Sequence, residues 1–146
     1  VGFVFGPDGK AQEDAIRKVH PEPYDGGFLT ASKAEFLPVF DTGYTKFVVL
    51  IGKDSQLDDT VGYMKAAGAD LMLVPAFQPL PEGKMPPQGH EAPFATKGIR
   101  SGIKVFLKGR LWGQTGTGQA AVLEDGMPHI TESDDNSAAL YNLWLP

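Results

Sequence analysis

The sequence of 146 residues has no cysteine, which excludes disulfides, thiolate metal sites and thiol catalysis by its own side chains. No apolar run approaches the roughly 18 residues of a membrane span, and the start lacks the basic-then-apolar layout of a signal peptide. A soluble chain without a membrane partner is expected. Lysine and arginine are absent beyond Arg110. All 13 of them lie in residues 1–110, balanced there by 13 of the 18 acids, while residues 111–146 carry Glu124, Asp125, Glu132, Asp134 and Asp135. The net charge of −5 therefore belongs wholly to the C-terminal part. Without clustered cations to displace counterions from phosphates, nucleic acid is not an expected partner.

Glycine and proline are abundant. The 18 glycines and 12 prolines make up about one residue in five, against a usual share of roughly 12%. In helix interiors they cost about 1 to 3 kcal/mol each, so a helical bundle or coiled coil is excluded. With 42% hydrophobic and 10% aromatic residues the chain can still build a core, and its length suits one domain. The expectation is a mainly β domain with about seven short strands and one or two short helices.

Residues 1–30 read as an N-terminal arm and 31–146 as the β-rich domain. The arm opens with a strand candidate, Val1-Gly2-Phe3-Val4-Phe5, cut off by the turn signal Gly6-Pro7-Asp8-Gly9. Residues 11–19 have helical spacing, with Ala15, Ile16 and Val19 on one side, before His20-Pro21-Glu22-Pro23 ends any helix. Phe36-Leu37-Pro38-Val39-Phe40, the turn Asp41-Thr42-Gly43-Tyr44 and the run Lys46-Phe47-Val48-Val49-Leu50-Ile51 predict a hairpin. Residues 61–67 read as a short capped helix or another strand, with Gly62 and Gly68 weakening the helix, and Leu71-Met72-Leu73-Val74 as a buried strand. Residues 75–93 hold six of the twelve prolines and read as a semi-rigid strap without helix or central strand. Beyond it, Ile103, Val105 and Leu107 alternate with Lys104, Phe106 and Lys108. Gly113-Gln114-Thr115-Gly116-Thr117-Gly118 reads as a turn, and residues 138–145 form a final apolar segment.

Catalytic patterns are thin. His20, His90 and His129 lie far apart without metal-site spacing, and Asp58-Asp59 and Asp134-Asp135 lack the remaining ligands of a calcium loop. Gly116-Thr117-Gly118-Gln119-Ala120-Ala121 fits a relaxed dinucleotide pattern, but Val122-Leu123-Glu124-Asp125-Gly126 reads as strand and turn rather than the helix that pattern needs. None of the serines, Ser32, Ser55, Ser101, Ser133 and Ser137, sits in a G-x-S-x-G elbow. No catalytic, cofactor-binding or metal-binding residue is assigned, and the chain is expected not to be an enzyme. The remaining signal is apolar side chains at the two ends. Val1, Phe3, Val4, Phe5, Ile16, Val19 and Trp144 either close the domain's own core or bind partners, by strand addition in the case of the arm.

The hairpin Pro38-Val39-Phe40-Asp41-Thr42-Gly43-Tyr44-Thr45-Lys46-Phe47-Val48, followed by Asp58-Asp59 and Val61-Gly62, resembles the lambda-type head decoration proteins of tailed bacteriophages. The resemblance implies a small β-tulip or barrel-like domain with an extended N-terminal arm. It also implies a homotrimer on the outer surface of the virion, bound to the major capsid protein, stabilising the head by bridging capsomers without catalysis or cofactor. Another virion or tail protein, or a carbohydrate-binding β domain with Trp112 or Tyr44 as its platform, stands as the alternative.

Overall fold

The computed structural model describes residues 2–23, 27, 29–77, 79–80, 94–95, 97–111 and 113–131. Within them the two densest apolar runs lie side by side. β2 (Lys46–Val49) pairs in parallel with β3 (Leu71–Ala76), Val48 opposite Met72, and the chain between them carries α1 (Asp58–Ala66). A parallel pair requires a crossover of this kind, because a tight turn returns the chain antiparallel. Asp58 and Asp59 occupy the first turn of α1 and Lys65 the last, the arrangement that suits the helix dipole.

β1 (Val39–Asp41) forms the expected hairpin with β2. Asp41 Oδ1 accepts the Gly43 N–H at 2.8 Å in its turn, and Gly43 has φ 80°, where a side chain would be strained. β5 (Ser101–Phe106) runs parallel to β3, and β8 (Ala120–Glu124) and β9 (Met127–Thr131) follow antiparallel, giving an open sheet in the order β1-β2-β3-β5-β8-β9. A second sheet holds β4 (Pro79–Leu80), β7 (Gln114–Thr117) and β6 (Lys108–Leu111), in the order β4-β7-β6.

The six-stranded sheet has two unlike faces. On one, Val48, Met72, Val74, Ala121 and Leu123 are buried with Leu50, with Val61 and Met64 of α1, and with Val19, Phe94 and Ile99. Each large apolar side chain removed from water there contributes about 1.5 to 3 kcal/mol. Gly102 belongs to this face because β5 passes close to β3. A Cβ on it would meet Met72 Cγ at 2.6 Å and Met72 O at 3.0 Å. Gly102→Val is therefore expected to lower stability by about 2–3 kcal/mol, read as a reduced urea midpoint.

The small β-tulip or barrel expected from the sequence is corrected by this topology. The central strands are parallel, a helix makes their connection, and neither sheet closes among the described residues. Residues 11–19 are not helical either. Ala11 bridges Phe5 and Ile16 bridges Gly2, so the chain doubles back antiparallel around the Gly6-Pro7-Asp8-Gly9 turn, where Gly9 has φ 76°. The strap is entered by strand: Pro75 lies in β3, beyond Leu73, the last residue that β2 pairs, and Pro79 lies in the edge strand β4. Only the start of the 113–118 segment is turn, since Gln114–Thr117 pairs as β7. Residues 81–93 and 138–145 lie outside the described residues.

Candidate active site

Beyond β2 the chain keeps its course for one residue, Leu50 donating its N–H to Leu73 O at 3.0 Å. It then turns at Gly52, whose φ of 60° lies in the left-handed region that glycine occupies without strain. A 3₁₀ turn, Gly52–Gln56, comes next and leads into α1. The turn stands at the carboxyl end of the parallel strands, the edge where open sheets collect their sites. Ser55 braces it, donating its hydroxyl to Gly52 O at 2.9 Å.

Lys104 reaches the turn from below. It stands on β5 opposite Val74, one step past the last pair of β2 with β3, and only 2% of it is exposed. Its Nζ lies 3.2 Å from Ser55 Oγ, 3.4 Å from Gly52 O and 5.2 Å from the centroid of the Phe106 ring. Burial pushes its pKa down from 10.5 to about 8, against the opposing pull of the Glu22 carboxylate. About a tenth of the amine is then neutral at pH 7 and half at pH 8. Lys104 Nζ here donates to Ser55 Oγ, whose own proton goes to Gly52 O; a neutral amine at that place takes the proton once the hydroxyl rotates away from Gly52, the requirement for serine as a nucleophile.

Carboxylates and a second lysine complete the cluster. Asp54, wholly buried in the same 3₁₀ turn, accepts the N–H of Val19 at 2.9 Å and of His20 at 2.8 Å. The same carboxylate stands 3.2 Å from His20 Nδ1. Lys18 and Glu22 form an ion pair of 2.7 Å, their side chains only 9% and 17% exposed. Lys18 thus pairs with Glu22, whose carboxylate also acts on Lys104, while backbone N–H groups satisfy Asp54. A set of ionisable groups gathered in this way, with one pKa strongly displaced, marks a candidate functional site.

Of the residues the sequence singled out, Phe3 and Phe5 are 61% and 65% exposed, Val4 is half-buried, and Ile16 and Val19 are buried within the chain itself. Val19 and His20 touch the cluster, Val19 through its backbone and His20 through its backbone and ring. Val1, Trp144, Trp112 and His90 lie outside the described residues, Tyr44 is fully exposed at a turn and His129 is exposed on β9. Among the described residues no group of three or more histidines and acids is placed to hold a metal ion, and no helix is long and apolar enough to cross a membrane. An open groove of about 830 Å³, lined by charges of both signs that include Glu13, Arg17, Lys33 and Glu35, shares no residue with the cluster. Sequence patterns missed Lys18, Glu22, Asp54, Ser55 and Lys104. The available signal was Lys104, a cation set between apolar neighbours in a strand.

No family model and no curated protein matches the chain. Solved structures do. An amidase of Nesterenkonia sp. superposes with a TM-score of 0.66 at 22% identity, covering 86% of this chain and 48% of that one. A cysteine-to-serine mutant of the Nesterenkonia AN1 amidase, described as a member of the nitrilase superfamily, gives the same values. A glutamate-to-glutamine mutant of that amidase, with the acetamide moiety of fluoroacetamide added covalently at the active-site cysteine, gives 0.58 at 24% identity over 76% of this chain and 42% of that one. The chain spans about half the length of these structures, and its mixed sheet with one helix matches part of their layered α-β-β-α fold.

The head-decoration resemblance is overturned by this likeness, because a hairpin pattern shared over a quarter of the chain also fits the β1–β2 edge of a mixed sheet. The capsid-binding function, its virion or tail and carbohydrate-binding alternatives, the trimer on a major capsid protein and the virion location are corrected with it. The expectation of a non-enzyme is corrected as well, since the matched structures are enzymes. These 146 residues nonetheless contain no cysteine.

Proposed function

We propose that this chain belongs to a hydrolase acting on small carboxamides, with Ser55 as nucleophile and Lys104 as its base. The likeness to amidases supports the reaction class, and the contact of Ser55 with Lys104 carries the assignment. Among the side chains of the cluster, the Ser55 hydroxyl is the nucleophile on offer. Ser55 Oγ attacks the carbonyl carbon as its proton passes to Lys104 Nζ. The carbon–nitrogen bond then breaks, Nζ returning the proton to the departing nitrogen, so that ammonia leaves and an ester remains on Ser55. Water attacks the ester with Lys104 again as base, releasing the acid. Lys18 and Glu22 position charge around the exchange. Ser55 is wholly enclosed, so turnover requires the surrounding wall to part.

Ammonia release from acetamide tests the proposal. Activity should rise with pH through about 8, following Lys104. Ser55→Ala should abolish it, by a factor of about 10² or more, with the circular dichroism of the wild type retained. Absence of turnover in the wild type, or equal turnover in Ser55→Ala, overturns the assignment.

A further inference from the structure

Gly52 O, Ser55 Oγ and Lys104 Nζ form a closed triangle. Its sides are 2.9 Å from Ser55 Oγ to Gly52 O, 3.2 Å from Nζ to Oγ and 3.4 Å from Nζ to Gly52 O. Both side chains are buried, so the direction of each hydrogen bond follows from what these three groups can give. An ammonium has only protons to donate, a carbonyl only lone pairs to accept with, and a hydroxyl a single proton. Lys104 as an ammonium therefore donates toward both oxygens, and Ser55 donates to Gly52. The Gly52 carbonyl reaches both partners because its own φ of 60° turns the chain between an extended Ile51 and the 3₁₀ turn. A β-branched residue is a strained outlier at such a φ, whereas asparagine visits that region more readily.

We propose that Gly52 is a positioning residue for the pair Ser55 and Lys104, its carbonyl aiming the amine at the hydroxyl; the inference rests on the nucleophile and base assigned above. When Lys104 gives up a proton it keeps two N–H groups and gains one lone pair. Gly52 O is an acceptor in both states. It takes the Ser55 proton while Lys104 is an ammonium, and a Lys104 N–H once Lys104 is an amine. The second arrangement frees the Ser55 hydroxyl to turn toward Nζ, whose lone pair is then the acceptor within reach. Without this carbonyl the amine keeps an N–H on Oγ and its lone pair is left unaimed. The charged neighbours have other roles: Glu22 pulls on Lys104, Lys18 pairs with Glu22, and Asp54 takes the N–H groups of Val19 and His20. A substitution at position 52 removes none of these charges.

Titration of the Lys104 side chain by NMR, its signal assigned by its loss in Lys104→Met, tests the proposal together with ammonia release from acetamide. The wild-type midpoint should lie near 8. Gly52→Val drives the backbone out of the left-handed region and turns the carbonyl away. The ammonium then loses an acceptor, so the midpoint should fall by about one pH unit. Ammonia release should drop about tenfold at its plateau, and its pH profile should move down by the same unit. Gly52→Asn, which tolerates the wild-type φ, should bring the midpoint back toward 8 and recover part of the lost turnover. Should Gly52→Val fail to fold, Gly52→Ala carries the same comparison with a smaller shift. A folded Gly52→Val in which Lys104 titrates as in the wild type overturns the proposal, and so does a Gly52→Asn shifted as far as Gly52→Val. The titration needs no turnover. An inactive wild type whose Lys104 midpoint still falls in Gly52→Val removes the Ser55 reading and leaves the hold of Gly52 on Lys104 standing.

Discussion

Replacing Lys104 by methionine should make the protein more stable at pH 7 and remove its proposed activity. The amine is almost wholly buried, the oxygens of Ser55 and Gly52 stand at 3.2 and 3.4 Å, and burial holds its pKa near 8 instead of 10.5. The folded state therefore gives up a proton between those values that the unfolded chain keeps. Where the unfolded state binds more protons, stability rises with pH. The lysine accordingly destabilises the fold below pH 8, by about 3 kcal/mol relative to pH above 10.5, and the effect fades across that window. Methionine fills much the same volume without a charge, so Lys104→Met should gain about 2–3 kcal/mol at pH 7 and little near pH 10.5. Urea unfolding of both proteins at the two pH values reads the difference. Ammonia release should fall by about 10² to 10⁴, the usual contribution of a positioned base. A residue that weakens the fold and is needed for turnover is the trade expected at an active site. A variant neither more stable nor less active would remove Lys104 from both roles.

The same residue shows how far the sequence was legible. Alternation in β5 was visible, and it separated Ile103 and Val105 from Lys104 correctly. Hydrophobicity then suggests that the isoleucine and valine face inward. In the structure they face outward, and the core face carries Gly102, Val74, Met72 and Lys104. Hydrophobicity alone cannot assign the faces here, because in a parallel sheet both faces are apolar and alternation cannot tell inside from outside. The parallel arrangement was itself hidden by the brevity of α1, nine residues with Gly62 among them, so that β2, α1 and β3 did not stand out as a crossover unit. The β1–β2 hairpin was legible because its turn is fixed locally by Asp41 and Gly43. The site was not, because its parts come from residues 18–22, the 3₁₀ turn at 52–56 and β5, and only the fold brings them together.

Asp54→Ala should have the opposite effect on stability to Lys104→Met, although both remove a buried charge. The Asp54 carboxylate accepts the N–H groups of Val19 and His20 at 2.9 and 2.8 Å, and His20 Nδ1 stands 3.2 Å from it. Hydrogen bonds to a charged acceptor contribute about 1.5 to 3 kcal/mol each, and a buried donor left without one costs its full desolvation. The loss should be about 3 to 5 kcal/mol, seen as a fall in the urea midpoint. Asp54→Asn, which keeps one acceptor oxygen and turns its amide toward the other donor, should lose about half of that. These bonds tie residues 18–22 to the 3₁₀ turn. Hydrogen exchange should therefore quicken at Val19 and His20 in both variants, in the same order as the loss of stability. The Lys18–Glu22 pair travels with this segment, so ammonia release should fall even though Ser55 and Lys104 are untouched. The sign of each substitution is set by what surrounds the charge. Asp54 accepts two backbone N–H groups, and its loss strands the buried Val19 N–H. Lys104 meets neutral oxygens at 3.2 and 3.4 Å, and the pull of the Glu22 carboxylate offsets its burial only in part.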